Sequence, residues 1–157
     1  MQLAVLAKEL MRHPVHQLTT HVTVRDAATF LLRHGISGAP AVDEHGQWQG
    51  VFTMRDIARH VVSRVVEPHE ERGLAAHEPV TDLSQFDLAQ FGQTRVEEIM
   101  TRGLVTVSPE ATLAEVVRNM QAFQVHRVFI MDAKQDEIQG VITTLDVIRW
   151  LDASGKG

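Results

Sequence analysis

The sequence predicts an α+β fold (α/β-like) built twice along one chain. Three observations carry that expectation. The stretch Gly50-Val51-Phe52-Thr53-Met54-Arg55-Asp56 returns as Gly140-Val141-Ile142-Thr143-Thr144-Leu145-Asp146, so Gly, two apolar residues, Thr, two variable residues and Asp stand in both halves. The match reaches well beyond those residues: at a shift of 89, Leu10-Met11 aligns with Ile99-Met100, Leu18 with Val107, Thr23-Val24 with Thr112-Leu113 and Ile36 with Val125. Beyond Asp43 and Asp132 the shift becomes 90, as one extra residue in the second turn would give. Within each copy, helical and strand-like apolar spacing also follow one another in the same order. A recurring unit of this kind is one supersecondary motif used twice.

Each element has a local reason. Val24, Ala27, Ala28 and Leu31 fall at i, i+3, i+4 and i+7, one stripe of a helix, and Leu113, Val116, Val117 and Met120 repeat it. Thr112 with Glu115 makes a capping box at the second helix start, and Thr23 with Asp26 a shorter version at the first. The apolar runs Ala39–Val42 and Val128–Met131 then read as buried strands. Polar turns, Asp43 to Gly46 and Asp132 to Glu137, lead into the strands that open each repeated stretch. A second helix starts near Arg55 and Leu145, with Ile57, Val61, Val62 and Val65 expected as its buried stripe in the first copy. A short strand (Gln17-Leu18, and Val105 to Val107) precedes each string.

The copies divide the chain into a first domain at 1–66, an irregular segment at 67–94 and a second domain at 95–152. The middle segment holds Pro68, Gly73, Pro79 and Gly92 and only a weak apolar period. A loop of that length is uncommon in a compact domain, so it is expected to be part helical, part mobile, and a contact to a partner chain.

Composition narrows the function classes. With 157 residues, 44% hydrophobic and 22% charged, the chain is long enough for one core or two small ones. It has no apolar run of membrane-spanning length and no signal-peptide layout, which predicts a cytoplasmic protein. Zero cysteines exclude disulfides and thiolate zinc sites. A net charge of −5 without a Lys/Arg run argues against a nucleic-acid duplex as partner. Nine histidines do not form a metal pattern: His13 and His16 are near each other but lack a third ligand at a spacing such as H-E-x-x-H. Met11, Met100, Met120, Trp48 and Trp150 read as core or interface filler. No nucleophile elbow, P-loop or dinucleotide-binding glycine pattern is present, so no enzyme is expected.

The chemistry sits in the doubled Thr/Asp. A Thr closing a buried strand, three residues before an Asp at a helix start, sets a hydroxyl donor beside a carboxylate acceptor. That carboxylate can accept both vicinal hydroxyls of a ribose, and the free N–H groups of the helix start can meet a phosphate. The same residues also make a helix cap, with Thr53 and Thr143 as N-caps and Asp56 and Asp146 as the N3 partners. Both roles can hold together.

The "ELM" and "EIMTRGLVTV" segments, "HGISGAPAVDEHG", "FQVHRVFIMD" and the doubled G-h-h-T-x-x-D resemble a tandem pair of cystathionine-β-synthase (CBS) domains over nearly the whole chain apart from the middle segment. The resemblance implies a pseudo-twofold pair with two clefts between facing sheets, usually assembled further into a homodimer of pairs. It implies a non-enzymatic module that senses adenine nucleotides (AMP, ADP or ATP) and signals to an effector protein or through its own oligomer. No cofactor is required, although Mg²⁺ can accompany ATP. By the same resemblance the ligand residues are Val15, Ser37, Ala39, Pro40, Thr53, Arg55 and Asp56 in the first copy. In the second they are Leu104, His126, Arg127, Val128, Thr143 and Asp146. Two roles are open to Arg127 and to Arg55, a phosphate contact or a solvated side chain. The copies also differ: Phe129 stands where the first copy has Pro40, and Arg127 where it has Gly38. Two unequal sites are expected.

Overall fold

The structure, a computed structural model, describes residues 5–65, 92–134 and 136–155. All but the last three residues of the irregular segment 67–94 lie outside that range, so its expected helix, mobility and partner contact do too. The element order is α1 (Ala7–Leu10), β1 (Leu18–Thr19), α2 (Val24–His34), β2 (Gly38–Val42), β3 (Trp48–Thr53) and α3 (Met54–Val65). It continues with α4 (Val96–Ile99), β4 (Thr101–Arg102), β5 (Thr106–Val107), α5 (Leu113–Phe123), β6 (Arg127–Asp132), β7 (Glu137–Thr143) and α6 (Thr144–Ser154). This is the α+β string that the repeat predicts.

The chain forms two compact units, and their limits are not those of the sequence repeat. One unit is Gln17–Gly103; the other joins Met1–His16 to Leu104–Gly157. Each unit therefore combines the body of one copy with the leading segment of the other. In the 17–103 unit, the segment that leads the second copy is tied to the first copy's helix start: the Val24 N–H donates to Thr94 O at 2.8 Å and the Val96 N–H to Val22 O at 3.0 Å. In the other unit the equivalent bonds run from Leu113 N–H to Val5 O, 3.0 Å, and from Ala7 N–H to Ala111 O, 2.8 Å. The exchange is reciprocal. The two short leading helices are capped alike, with Glu9 accepting from the Leu6 N–H at 2.8 Å and Glu98 from the Arg95 N–H at 2.6 Å.

The sheets match as well. In the 17–103 unit the strand order is β1-β2-β3-β4, with β1 and β2 parallel and the rest antiparallel. In the other unit it is β5-β6-β7, and an antiparallel bridge between Arg12 and Val141 takes the place of a fourth strand. Arg12 corresponds to Thr101, which pairs with Val51 in the first sheet. The glycine that opens each repeated stretch has its explanation here. A Cβ on Gly50 would strike the Thr101 carbonyl, and one on Gly140 the Met11 side chain, so the leading segment can lie against the strand only where a side chain is missing.

The cores occupy equivalent positions. Leu18, Val24, Ala27, Leu31, Ala39, Ala41, Phe52 and Val96 in one unit stand for Val107, Leu113, Val116, Met120, Val128, Ile130, Ile142 and Ala7 in the other. Volume is shared differently within the same outline. Phe52 lies opposite Ala39, whereas Ile142 lies opposite Val128, so a large-and-small pair replaces two middle-sized residues. Helices α2 and α5 end alike in a left-handed residue, Gly35 in one and Gln124 in the other.

Two local expectations are corrected. The stripe on α3 is not a buried one: Ile57 and Val61 are only partly covered and Val62 is 58% exposed, while the Val65 side chain lies outside the described residues. Among the described side chains of that helix the buried one is Asp56. At α2 the cap is one-sided, because the Thr23 hydroxyl accepts from the Asp26 N–H without a return bond; α5 has the full box through Thr112 and Glu115.

Candidate functional site

In each unit the end of the motif strand, the start of the following helix and the start of the facing strand meet. Gly38 pairs with Thr53 across β2 and β3, and Arg127 with Thr143 across β6 and β7. The Met54 N–H donates to Ser37 O and the Thr144 N–H to His126 O, both at 2.9 Å, which ties each helix start to the facing strand.

Both Thr/Asp pairs form complete capping boxes. Asp56 Oδ2 accepts from the Thr53 N–H at 2.8 Å and from its hydroxyl at 3.0 Å, and the Asp56 N–H returns to Thr53 Oγ1 at 3.2 Å. Asp146 Oδ2 accepts from the Thr143 N–H at 2.9 Å and from its hydroxyl at 2.8 Å, with a return bond of 3.4 Å. The capping role is therefore realised twice, and it occupies one carboxylate oxygen in each case. Oδ1 is the atom left for other chemistry.

The two Oδ1 atoms differ in their cover. Asp56 Oδ1 accepts from the Thr101 hydroxyl at 2.9 Å, and the Arg59 guanidinium stands 3.6 Å away. Asp146 Oδ1 is held by Arg12 Nε at 2.6 Å. Both carboxylates are buried, at 2% and 6% exposure, so a ligand reaching either must displace what covers it. A buried carboxylate needs such partners, because desolvating it unpaired would cost several kcal/mol. Thr101, Arg12 and Arg59 were not identified from the sequence. Only the register 12/101 in the repeat alignment could have pointed to the first two.

The other expected site residues are placed as follows. Ala39, Pro40 and Val128 are buried in their strands, Val15 and Leu104 are half-buried, Arg127 is half-buried, and Ser37, Arg55 and His126 are exposed. Ser37, Ala39, Pro40, Thr53, Arg55 and Asp56 share one unit; Leu104, His126, Arg127, Val128, Thr143 and Asp146 share the other. Val15, expected with the first copy, belongs to the unit of the second. Phe129 is 2% exposed and, by strand alternation, points to the face opposite Val128 and Ile130. A surface depression of about 450 Å³ lies at the far end of β6, bordered by Thr106, Pro109, Met131 and Lys134, and holds none of the expected site residues. Among the described residues no three His, Asp or Glu side chains come together as a metal-holding group, and no helix is long and apolar enough to cross a membrane.

The CBS domain sequence profile matches residues 7–63 and 96–153. The chain belongs to the CBS domain family. It is 25% identical over 140 residues to the CBS domain-containing protein YhcV of Bacillus subtilis, covering 89% of this chain and 81% of that one. It is also 26% identical over 144 residues to the L-aspartate semialdehyde sulfurtransferase of Methanocaldococcus jannaschii, but spans only 23% of that protein's length against 92% of its own. Among solved structures, the CBS domain pair of protein MJ0100, crystallised with 5′-methylthioadenosine and S-adenosyl-L-methionine, superposes with a TM-score of 0.71 at 24% identity, covering 96% of this chain and 98% of that one. A second crystal structure of that pair with the same two ligands gives 0.67 at 25% identity, covering 94% and 99%. The protein is a CBS domain pair with an α+β fold.

Proposed function

We propose that this CBS pair is a non-enzymatic regulatory module that binds an adenine nucleotide, AMP, ADP or ATP, at the Thr/Asp ends of its units. The doubled box carries the reading: each unit presents a carboxylate whose second oxygen is held only by exchangeable side chains, beside a hydroxyl and a helix start. A ribose diol is the natural partner of such an acceptor, and phosphates suit the neighbouring N–H groups and guanidinium side chains. The related MJ0100 pair was crystallised with two ligands that both contain adenosine, which supports an adenosine moiety as the recognised part.

In this reading Asp56 and Asp146 take the ribose, with Thr53 and Thr143 orienting them. Ser37, Ala39 and Pro40 border the base in one unit; His126, Val128 and Leu104 do so in the other, and Val15 is a further base contact. Arg55 and Arg127 face phosphates, and Mg²⁺ accompanies ATP. The ligand favours one conformation of the chain, and an effector protein or a second copy reads that shift. A homodimer is supported by the exposed apolar residues Leu145, Ile148 and Leu151 on α6.

Thermal unfolding tests the reading. AMP, ADP or ATP at millimolar concentration should raise Tm in a saturable way, stabilising by about 2.7 kcal/mol at a hundred times Kd. The double variant Asp56→Asn, Asp146→Asn should lose that shift. The amide oxygen still accepts the cap bonds, so the fold is kept while an acceptor becomes a donor. A second reading, a purely structural interaction module, draws support from the full engagement of both carboxylates and from the lack of any unsatisfied buried side-chain polar atom among the described residues. It predicts no Tm shift with any adenine nucleotide.

A further inference from the structure

We propose that Arg12 is a specificity-determining residue that makes the Asp146 carboxylate a weaker acceptor for a neutral ribose diol than Asp56. The proposal rests on the reading of these two aspartates as diol acceptors and adds the residue that makes them unequal.

Positions 12 and 101 are equivalent in the repeat, and the structure gives them equivalent backbone places. The Arg12 N–H donates to Val141 O at 2.9 Å and the Val141 N–H returns to Arg12 O at 3.1 Å; Thr101 pairs with Val51 at the same point of the other sheet. The side chains of both residues reach the same atom, Oδ1 of the boxed aspartate. Oδ2 is occupied by the Thr N–H and hydroxyl in both units, and besides Thr101 the Oδ1 of Asp56 has the Arg59 guanidinium 3.6 Å away. The two sites therefore differ at Oδ1 mainly through one residue.

That residue changes what a ligand must displace. Thr101 is neutral, and its hydroxyl can turn away from Asp56 by a side-chain rotation and then accept a bond from the incoming diol. Arg59 is 62% exposed and 3.6 Å from Oδ1, too long for a hydrogen bond, so it yields to solvent at little cost. Arg12 is exposed to a similar degree, 57%, but its Nε stands 2.6 Å from the Oδ1 of a carboxylate that is 6% exposed, an ion pair at close contact where that of Arg59 is not. A close ion pair to a buried carboxylate is harder to displace than a neutral contact, and a sugar hydroxyl offers no charge to replace the one it removes. The expected consequence is a diol affinity at Asp146 at least about tenfold weaker than at Asp56.

Isothermal titration with adenosine, a neutral nucleoside, tests this on the whole protein and on two exchanged variants. Arg12→Thr gives the second copy the residue that the first already tolerates at that place, and Thr101→Arg gives the first copy the second's. At the higher affinity the wild type should take one equivalent of adenosine, Arg12→Thr two and Thr101→Arg none. A wild type with two equal sites, or an Arg12→Thr variant that still takes one equivalent, overturns the role of Arg12 while leaving the nucleotide reading standing. Adenosine bound by none of the three proteins, each shown to be folded by circular dichroism, overturns both.

Discussion

Asp43 shows how a single half-buried carboxylate can hold a turn. Its Oδ1 accepts from the Gln47 N–H at 2.9 Å and the His45 N–H at 2.8 Å, and Oδ2 accepts from the Gln49 amide at 2.9 Å. The Gln47 backbone bond holds this carboxyl below its ordinary range; burial opposes it, and the bonds from His45 and Gln49 add to the lowering. A folded value below the unfolded one means the turn stabilises the protein above the unfolded pKa and loses that contribution as pH falls through the folded pKa. Asp43→Ala should therefore lower Tm at neutral pH, and its difference from the wild type should shrink in acid; a pH-independent difference would remove the ionic cause. At Gly50 the constraint is steric. Gly50→Ala sets a Cβ against the Thr101 carbonyl, which is backbone and cannot step aside, so a loss of about 1–3 kcal/mol is expected in urea unfolding. That glycine was legible in the sequence only as a repeated letter. Its reason, a second segment lying on the strand, comes from fifty residues further on.

Among the elements, those with enough turns to show a period were legible. The stripes of α2 and α5 bury Val24, Ala27 and Leu31 in one helix and Leu113, Val116 and Met120 in the other, as their spacing requires. Helices α1 and α4 have four residues each, too few for a stripe, and no apolar period announces them. Helix α3 misled because Val61 and Val62 have the right spacing for burial while the unit leaves Val62 uncovered. Helix α6 extends that point, with Leu145 and Ile148 at 50% and 55% exposure. Two such faces from separate copies would gain about 1.5–3 kcal/mol per large side chain fully buried. Light scattering should accordingly find a dimer for the wild type and a monomer for Ile148→Asp; an unchanged mass would exclude α6 from the contact.

At the scale of the whole molecule, the duplication was readable and the exchange between its copies was not. Arg12 and Asp146, or Thr101 and Asp56, are far apart in sequence, and no local pattern links a leading segment to the other copy's sheet. The site was legible as Thr and Asp because they recur; the side chains that cover them were not, because they reach the site through tertiary pairing. A cut in the middle segment supplies a test. Fragments 1–66 and 92–157 expressed separately should be poorly folded, since each lacks a strand or bridge that borders its own glycine, and mixing them should restore the wild-type circular dichroism. Two independently cooperative fragments would contradict the exchange.

The reciprocal trade of leading segments also bears on how the tandem chain differs from its own halves. A lone half could complete its sheet only by meeting a second molecule, at whatever concentration the solution offers. Joining the halves makes that meeting intramolecular, at an effective concentration that short tethers raise to about the millimolar range.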